Sequence, residues 1–454
     1  MALSEARFVT GSTMKHVVVM SVTGSVGLMF MFLVDAAALF WVSQLGAERL
    51  VAALGFAWII QFTTISVGIG LMIAATAMVS RAIGRNRFDI ARQQATSALI
   101  LTFAIQAAIG LIVLFFRRDV LAFCGASGET LDIAARFLVI SVPSLPFIAL
   151  SMVSSAVLRA AGDGVRSMYV TLSAGMVAML LDPLFIVWMD LRTDGAAIVI
   201  IISRLTSGVL GLYFVARVHG LVTRPDLCHL RAFVRPYMMI AIPAVLTQLS
   251  TPFGNIVVTF FVSDYGDSAV AGWAVISRIT ALAFGGIFAL SGAIGGIIGQ
   301  NYGAGQPGRI ASAYRDSLVF CVVYVAIAWV ILALSADAII ALFQLSGEGA
   351  RLLEVFLRYA VGSFVFIGAL FVANSAFNNL GRPLWSTGFN WLRDGVLTAP
   401  LALALAPALA APGVVYAQAG ASAVAGAIAC VAGWLFIKTL RTKDTAAAPS
   451  KMAR

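Results

Sequence analysis

Residues 50–79 read LVAALGFAWIIQFTTISVGIGLMIAATAMV and contain no charged side chain. A helix needs about 20 predominantly apolar residues to cross the hydrocarbon layer of a bilayer. The stretch does not alternate apolar and polar residues, as the strands of a membrane β-barrel do. It is therefore predicted to form a membrane-spanning α-helix.

The rest of the chain has a similar composition. Of its 454 residues, 61% are apolar or aromatic and 11% are charged, whereas about 25% of the residues of a soluble globular protein are charged. Lipid must therefore surround much of the surface. The four cysteines lie far apart, without the paired spacing of zinc or redox motifs, and are interpreted as apolar packing residues.

Similar apolar runs give twelve predicted spans, six in each half of the chain. Each run is bounded by charged residues or by glycine and proline. The first six are approximately 16–44, 50–79, 95–116, 133–158, 167–189 and 195–216, and the second six are approximately 236–263, 270–299, 317–336, 352–379, 384–408 and 412–437.

Lysine and arginine concentrate in the loops after the even-numbered spans and in the C-terminal tail. Cytoplasmic loops of membrane proteins carry such an excess, so both termini are predicted to be cytoplasmic. The predicted location is the cell inner membrane. This bias and the attraction to anionic lipid account for the net charge of +10, so no nucleic-acid partner is expected.

An internal repeat relates the two halves. The pattern from Val34-Asp35 to Gly46 returns from Gly254-Asn255 to Gly266 at an offset of 220 residues, and Arg81-Ala-Ile-Gly84 falls on Gln300-Asn-Tyr-Gly303 at an offset of 219. With an even number of spans per half, the repeats are parallel, and transporters built this way bind substrate between them. The prediction is an all-α integral membrane protein with two pseudo-symmetric six-helix lobes. The lobes comprise 1–218 and 236–454, with a cytoplasmic linker at 219–235.

Two carboxyl groups fall inside predicted spans, Asp35 in the first and Asp182 in the fifth. A charge at the bilayer centre costs about 2.5–3.5 kcal/mol on insertion scales and is by default a functional hypothesis. Both groups lie roughly 12–16 Å from the outer boundary at about 1.5 Å per residue, so they could face each other. Burial and a neighbouring carboxylate both favour the neutral form, so such a pair can exchange a proton near neutral pH. Pro183 predicts a kink beside Asp182.

Other polar or polarizable residues inside the spans are candidates for lining a substrate cavity. Methionine and aromatic faces suit variable amphipathic cations, and amides or a cation in a span suit a wet surface. The candidates are Phe30, Met31, Trp41, Gln248, Asn255, Arg278, Asn374 and Asn378. For Arg278 and Arg393, a structural role and a substrate role both stay open. Asp394 is not expected to pair with Arg393, because neighbours on a helix do not share a face.

Three segments resemble the multidrug and toxic compound extrusion (MATE) family of the MOP superfamily. They are Leu33-Val-Asp-Ala-Ala-Ala-Leu-Phe-Trp-Val-Ser-Gln-Leu-Gly46, Leu181-Asp-Pro-Leu-Phe-Ile186 and Gly299-Gln-Asn-Tyr-Gly-Ala-Gly-Gln306. The resemblance covers essentially the whole chain. It implies the MATE fold and a secondary antiporter that exports amphipathic, often cationic organic compounds in exchange for protons or sodium. In the proton-coupled, DinF-like bacterial branch, the aspartates matching Asp35 and Asp182 form a polar network.

The sequence departs from the family pattern at two places. Ala178 stands where the resemblance implies an asparagine, and the seventh span offers Gln248, Ser250, Thr251 and Asn255 instead of the acidic residue of the sodium-coupled branch. The predicted function is proton-coupled multidrug efflux by alternating access, with Asp35 and Asp182 as coupling residues. The alternatives are a sodium-coupled exporter and a flippase for a lipid-linked precursor.

An enzyme would need a clustered acid, nucleophile or metal constellation, and the sequence offers none. Two separated carboxylates without histidine form a poor transition-metal site. No catalytic residue, metal site or cofactor is therefore predicted beyond the coupling ion, H⁺ or alternatively Na⁺. The expected partners are small organic substrates and membrane lipids, and one chain containing both lobes is sufficient as a monomer.

Overall fold

Helices make up almost all of the computed structural model, which describes residues 5–43 and 48–451. Eleven of the described helices are long and apolar enough to cross a membrane, and a pair of helices joined at a bend supplies a twelfth span. No strand occurs in these two ranges. The predicted all-helical class and the predicted twelve spans are confirmed.

The chain forms two compact units. The first consists mainly of Val26–Val245, and the second consists of Ala6–Ser25 together with the chain from Leu246 onward. The beginning of the first span therefore belongs with the second unit, and the beginning of the seventh span belongs with the first. The lobe boundaries at residues 218 and 236 stay a prediction, because they were placed by chain duplication and not by contact.

The first unit contains six whole described helices and parts of two others. Small residues allow close approach between them, as is usual for helices packed in a membrane. At Gly208, a Cβ would lie only 2.9 Å from the carbonyl oxygen of Phe147. The helices are part of α1 (Thr13–Ser43), then α2 (Glu48–Gly84), α3 (Phe88–Phe123), α4 (Gly128–Ser141), α5 (Leu145–Ala160), α6 (Gly164–Asp182), α7 (Arg192–Tyr213) and the beginning of α8 (Leu227–Ser263).

The second unit contains the beginning of α1, the rest of α8 and nine further helices. A single large cluster of buried apolar side chains, from Phe8 to Ile437, forms its core. The further helices are α9 (Asp267–Ala283), α10 (Gly285–Gly303), α11 (Pro307–Leu334), α12 (Ala336–Leu342), α13 (Gly347–Arg358), α14 (Phe364–Asn379), α15 (Pro383–Trp391), α16 (Thr398–Leu409) and α17 (Ala411–Lys451).

The eighth span is bent by 47° between α9 and α10. The Tyr324 hydroxyl of α11 lies at the break, where it donates to the carbonyl oxygen of Ala283 at 2.8 Å and accepts from the backbone N–H of Gly286 at 3.3 Å. A hydroxyl group thus replaces helix hydrogen bonds, which a bilayer requires to be satisfied within the protein. The sequence placed a span at 270–299 but gave no indication of this bend.

The N-terminal segment Arg7–Val9 lies in a groove of the second unit where α10 ends and α11 begins. The Phe8 ring is buried. Its backbone N–H donates to Gln300 Oε1 at 2.9 Å, and its carbonyl oxygen accepts from Asn301 at 3.2 Å and from Arg309 at 2.9 Å. Arg309 also donates to the carbonyl oxygens of Thr10 and Gly11.

Three sequence predictions need adjustment or lie outside the description. The linker predicted at 219–235 is half helical, because α8 begins at Leu227. The tenth predicted span, 352–379, is divided between α13 and α14 by a short 3-10 helix, Ala360–Ser363. Gln44, where the first predicted span ends, and Gly46, where the first repeated pattern ends, lie outside the described residues.

Candidate functional site

Asp182 is the last residue of α6 and lies in the interior of the first unit, 3% exposed. Its Oδ2 atom is buried and has no hydrogen-bond partner among the described residues. Immediately after it, Pro183–Trp188 forms a π-helical segment. Proline cannot donate a backbone hydrogen bond, and π-helical turns occur mostly as single distortions at functional sites. The distortion predicted beside Asp182 is therefore present, as a π-helical turn.

Asp35 lies on α1, where Val34 is buried and Asp35 itself is exposed. Asp35 interacts electrostatically with both Asp182 and Arg204. The structure thus brings the two predicted carboxyl groups together within the first unit. One of them is exposed and the other is buried.

Arg204 of α7 is the third charged member of this group and was not placed from the sequence. It is buried, and its guanidinium group donates to Ser144 Oγ at 3.0 Å, to the Ser141 carbonyl oxygen at 3.4 Å and to Gln61 Oε1. Gln61 in turn donates to Ser141 Oγ at 3.1 Å. These neutral acceptors fix the cation in position, as a buried charge requires. We call Asp35, Asp182 and Arg204 the aspartate–arginine cluster.

Arg393 and Asp394 form a buried ion pair in the second unit, contrary to the sequence prediction. Arg393 Nε and Nη2 each lie 2.7 Å from an Asp394 carboxylate oxygen. The rule that neighbouring helix positions point apart applies to the α-helix, but this segment, Leu392–Leu397, is π-helical. Ser250 Oγ of α8 donates to Asp394 Oδ2 at 3.0 Å. Arg393 is therefore held by an internal carboxylate, a structural interaction.

The asparagines of α14 lie in a buried hydrogen-bond network with α15. Asn390 donates to Asn374 Oδ1 at 3.1 Å, and Ser386 Oγ donates to Asn378 Oδ1 at 3.3 Å. Asn374 and Asn378 are 6% and 3% exposed, so their amides serve helix-to-helix hydrogen bonding of the kind seen in membrane bundles. Their assignment to a substrate cavity stays a prediction.

Gln248 and Asn255 belong to a polar face of α8. Gln248, Thr251, Asn255 and Thr259 recur at helical spacing, and the last three are exposed. A second open face of α8 is apolar and suits lipid; it contains Leu246, Phe253, Ile256 and Phe260. The polar face suits water. α8 therefore presents the kind of surface expected of a cavity lining, although the substrate role of Gln248 and Asn255 stays a prediction.

Arg278 lies on α9, eleven positions after its first residue, Asp267. It is exposed and makes no hydrogen bond or ion pair with any described residue. The neighbouring open positions on α9, Ala271, Ala274 and Ser277, are small. An arginine facing hydrocarbon costs several kcal/mol, so this face is better suited to water than to lipid.

The aromatic and methionine candidates on α1 are half-buried. The Phe30 ring packs against Gly175 of α6, where a Cβ would come within 2.7 Å of it. Trp41 packs against the core that α2, α4 and α7 share, and its ring meets that of Phe40 edge to face at 5.3 Å. Phe30 and Trp41 thus contribute to packing of the first unit, while their contact with substrate, like that of Met31, stays a prediction.

A second charged cluster, outside the predicted membrane spans, joins the α5–α6 loop to the end of the sixth span. His219 Nε2 lies 2.9 Å from Asp163 Oδ2, and both side chains are buried. The Arg166 backbone N–H donates to Asp163 Oδ1 at 3.0 Å, and its guanidinium group donates to Oδ2. Burial opposes ionisation, but the hydrogen bonds from His219 and Arg166 and the charge of Arg166 outweigh it. They hold the pKa of Asp163 well below its usual range.

Replacing Asp163 by asparagine is expected to lower the free energy of unfolding at pH 7 by about 1–3 kcal/mol, because buried donors lose a charged acceptor. The folded state favours the ionised carboxyl, so this stabilisation is present above the ordinary pKa of 3.8 and is lost as the pH falls below it. The unfolding temperature in detergent should therefore fall more steeply with decreasing pH for the wild type than for Asp163→Asn below that pH.

The control is Asp89→Asn, at an exposed ion pair, which should leave the dependence of the unfolding temperature on pH unchanged. Parallel profiles for wild type and Asp163→Asn would contradict this assignment.

Metal-binding side chains do not cluster in residues 5–43 and 48–451, where no three His, Cys, Asp or Glu residues come together. The buried charges described above are instead single carboxyl and guanidinium groups on separate elements or at neighbouring positions. The sequence did not reveal that Arg204 binds Gln61 and Ser144, or that Arg393 pairs with Asp394. Each pairing depends on the three-dimensional arrangement.

Comparison with known proteins agrees with this architecture. The MatE family profile matches residues 25–184 and 243–403. The chain is 28% identical to an FAD transporter of Shewanella oneidensis, over 84% of this chain and 86% of that protein. It is 24% identical to the multidrug export protein MepA of Staphylococcus haemolyticus, over 67% and 68%. A MOP superfamily transporter from Pyrococcus furiosus shares the fold, with a TM-score of 0.90 at 21% identity over 97% of this chain and 99% of that one. The protein therefore belongs to the MatE family of multi-pass membrane transporters, the multidrug and toxic compound extrusion family.

Proposed function

We propose that this protein exports amphipathic, cationic organic compounds in exchange for protons. The observation that supports this best is the buried carboxyl of Asp182, with an oxygen that lacks a hydrogen-bond partner, beside the accessible Asp35. A protonated Asp182 carboxyl can donate a hydrogen bond, whereas an ionised one can only accept. The proposal includes an inner-membrane location, cytoplasmic termini and function as a monomer.

The charges of the aspartate–arginine cluster provide a basis for exchange. With both carboxyls ionised, the cluster carries two negative charges and one positive charge, so one net negative charge remains. One proton or one organic cation neutralises it, so the two compete for the same charge. Competition couples their movements if the inward-facing and outward-facing states differ in affinity for each.

The π-helical turn after Asp182 supplies a place where protonation can act on backbone shape. A π-helical turn is a local departure from the regular helix, and here it begins at the residue after the carboxyl. A change in the hydrogen bonding of Asp182 therefore acts directly on the turn. In this mechanism, protonation from outside favours release of substrate outward.

The direct test uses purified protein in liposomes loaded with a pH-sensitive dye. A proton gradient is imposed in one experiment and a sodium gradient in the other, with ethidium as the transported cation. Proton coupling predicts ethidium transport and a matching change of internal pH under the proton gradient alone. Transport under the sodium gradient at constant pH, without proton movement, would overturn the proposal in favour of the sodium-coupled alternative.

A second candidate substrate class is an anionic aromatic nucleotide. Arg278 favours it, because a cation in a span without an internal partner suits an anionic group, and one relative is an FAD transporter. The lipid-linked precursor alternative called for several free cations, and Arg393 is already paired with Asp394. The flavin nucleotide is therefore the better supported alternative.

For this second candidate, Arg278→Gln is expected to weaken FAD transport into inside-out proteoliposomes about 10- to 100-fold, the effect of losing one charge-assisted hydrogen bond. Ethidium transport should be unaffected. Arg351→Gln, at an exposed ion pair, serves as the control. Undiminished FAD transport by Arg278→Gln, or none by the wild type, would exclude the nucleotide as a substrate bound at Arg278.

A further inference from the structure

The groove that binds the N-terminal segment has a counterpart in the other half of the chain. In the second unit, Gln300, Asn301 and Arg309 bind the backbone of Phe8. The offset of 219 residues established by the repeat maps this groove onto the junction of α2 and α3 in the first unit. The matched positions are Met78 with Ile297, Arg81 with Gln300, Ala82 with Asn301, Arg87 with Gln306, and Ile90 with Arg309.

At the α2–α3 junction these positions surround a cavity of about 160 Å³. That volume corresponds to about five water molecules. The chain that precedes α8 does not line it: Thr223 is bound instead to Thr96 of α3, its backbone N–H donating to the hydroxyl at 3.0 Å. The cavity is lined by Arg81, Arg85, Arg87 and Gln94, with apolar side chains that include Met78 and Ile90.

The cavity lining is strongly cationic. It includes three arginines and no carboxylate, and the side chains of Arg85 and Arg87 form no hydrogen bond or ion pair with other described residues. The like charges of the Arg85 and Arg87 side chains repel each other, and an anion bound between them would relieve that repulsion. Guanidinium groups match the oxygens of a phosphate in paired hydrogen bonds. The ligand that neutralises this cavity is therefore a phosphate-bearing anion.

Two further features distinguish among phosphate-bearing anions. The Oε1 atom of Gln94 is buried without a hydrogen-bond partner in the described chain, so it needs a donor such as a hydroxyl group. The junction between Gly84 and Phe88 joins the end of the second candidate span to the start of the third, so we expect it at the membrane surface. Met78 and Ile90 add apolar contacts of the kind a glycerol backbone and acyl chains make.

We propose that this cavity binds the headgroup of an anionic phospholipid, with phosphatidylglycerol as its best match. The arginines bind the phosphate, and Gln94 accepts from a glycerol hydroxyl. The chain's own C-terminal tail is a poor occupant, because lysines and arginines dominate it and would add to the repulsion. The proposal is independent of which compounds the protein exports.

Lipid binding is measured by native mass spectrometry of the detergent-purified protein titrated with phosphatidylglycerol, with phosphatidylcholine or with inorganic phosphate. The wild type should prefer phosphatidylglycerol to phosphatidylcholine. Arg85→Gln/Arg87→Gln should weaken phosphatidylglycerol binding about 30-fold, given the contribution of each basic residue at an anionic lipid surface. Both side chains are exposed and unpaired, so the fold should survive, as thermal unfolding will check.

The matched control is Arg231→Gln/Arg235→Gln, which removes two exposed positive charges from α8 outside the cavity. It should bind phosphatidylglycerol like the wild type. Equal weakening in both double variants would show a general charge effect and overturn the proposal, as would unchanged binding by the cavity variant. Displacement of phosphatidylglycerol by an equal concentration of inorganic phosphate would overturn the lipid assignment. Binding by the wild type that resists a rise from about 0.05 to about 0.5 M salt would exclude an electrostatic headgroup site.

Discussion

Asp35→Asn protein is expected to fold and insert normally but to lose proton-coupled export. The carboxamide has the size of the carboxyl group but cannot bind or release a proton at physiological pH. Asp182 and Arg204 would then be the remaining charged members of the cluster, and its net negative charge would disappear. The measurement is ethidium efflux from proteoliposomes under an imposed proton gradient, where the rate should fall to that of protein-free vesicles.

Asp190→Asn is the matched control for this prediction. Asp190 is exposed, pairs with Arg192 and has a positive φ of 49°, a conformation that asparagine adopts readily. Its replacement removes one carboxyl from the same unit without touching the aspartate–arginine cluster, and export should continue. An Asp35→Asn protein that exports ethidium against the gradient at the wild-type rate would remove Asp35 from the mechanism.

Arg393→Leu is expected to be the most destabilising of these substitutions, lowering the free energy of unfolding by about 3–5 kcal/mol. The variant leaves the Asp394 carboxylate buried with only Ser250 as a donor. Replacing both residues, as Arg393→Leu/Asp394→Leu, removes the unpaired charge as well and should recover most of the loss, because a buried ion pair contributes little relative to apolar packing. Unfolding in detergent, followed by heat or denaturant, compares the three proteins.

The control for this pair is Arg358→Leu, which breaks an ion pair with Asp337, itself mostly exposed. Exposed pairs contribute roughly 0–1 kcal/mol, so little change is expected. A single Arg393→Leu variant as stable as Arg358→Leu, or a double variant less stable than the single one, would show that the buried pair is not what stabilises this part of the second unit.

The membrane class, the number of spans and the pairing of Asp35 with Asp182 could be predicted from the sequence. Each depends on a large energetic effect that has a local signature. Membrane spans are long uncharged runs because placing a charge in hydrocarbon is unfavourable. A lone aspartate within such a run is conspicuous for the same reason. Pro183 likewise marks a helix distortion by its chemistry alone.

The partners of the charged groups could not be predicted, for identifiable reasons. Arg204 is bound by Gln61 and Ser144 from separate helices, and nothing in the local sequence links those positions. The pairing of Arg393 with Asp394 required knowledge of a π-helical turn, which changes the angle between neighbouring side chains. The bend at Phe284 has a visible glycine pair after it, but the hydroxyl that stabilises it comes from Tyr324, 38 residues beyond Gly286.

The binding of Phe8 by Gln300, 292 positions away in the chain, has a consequence for biosynthesis. Residues Ala6–Ser25 belong to the second unit, so Phe8 is synthesised well before the rest of its unit and cannot bind until the chain has been made beyond Gln300. Nascent domains generally fold as units, the N-terminal one first. Here Val26–Val245 can assemble early, whereas the segment around Phe8 reaches its final place only when the second unit folds.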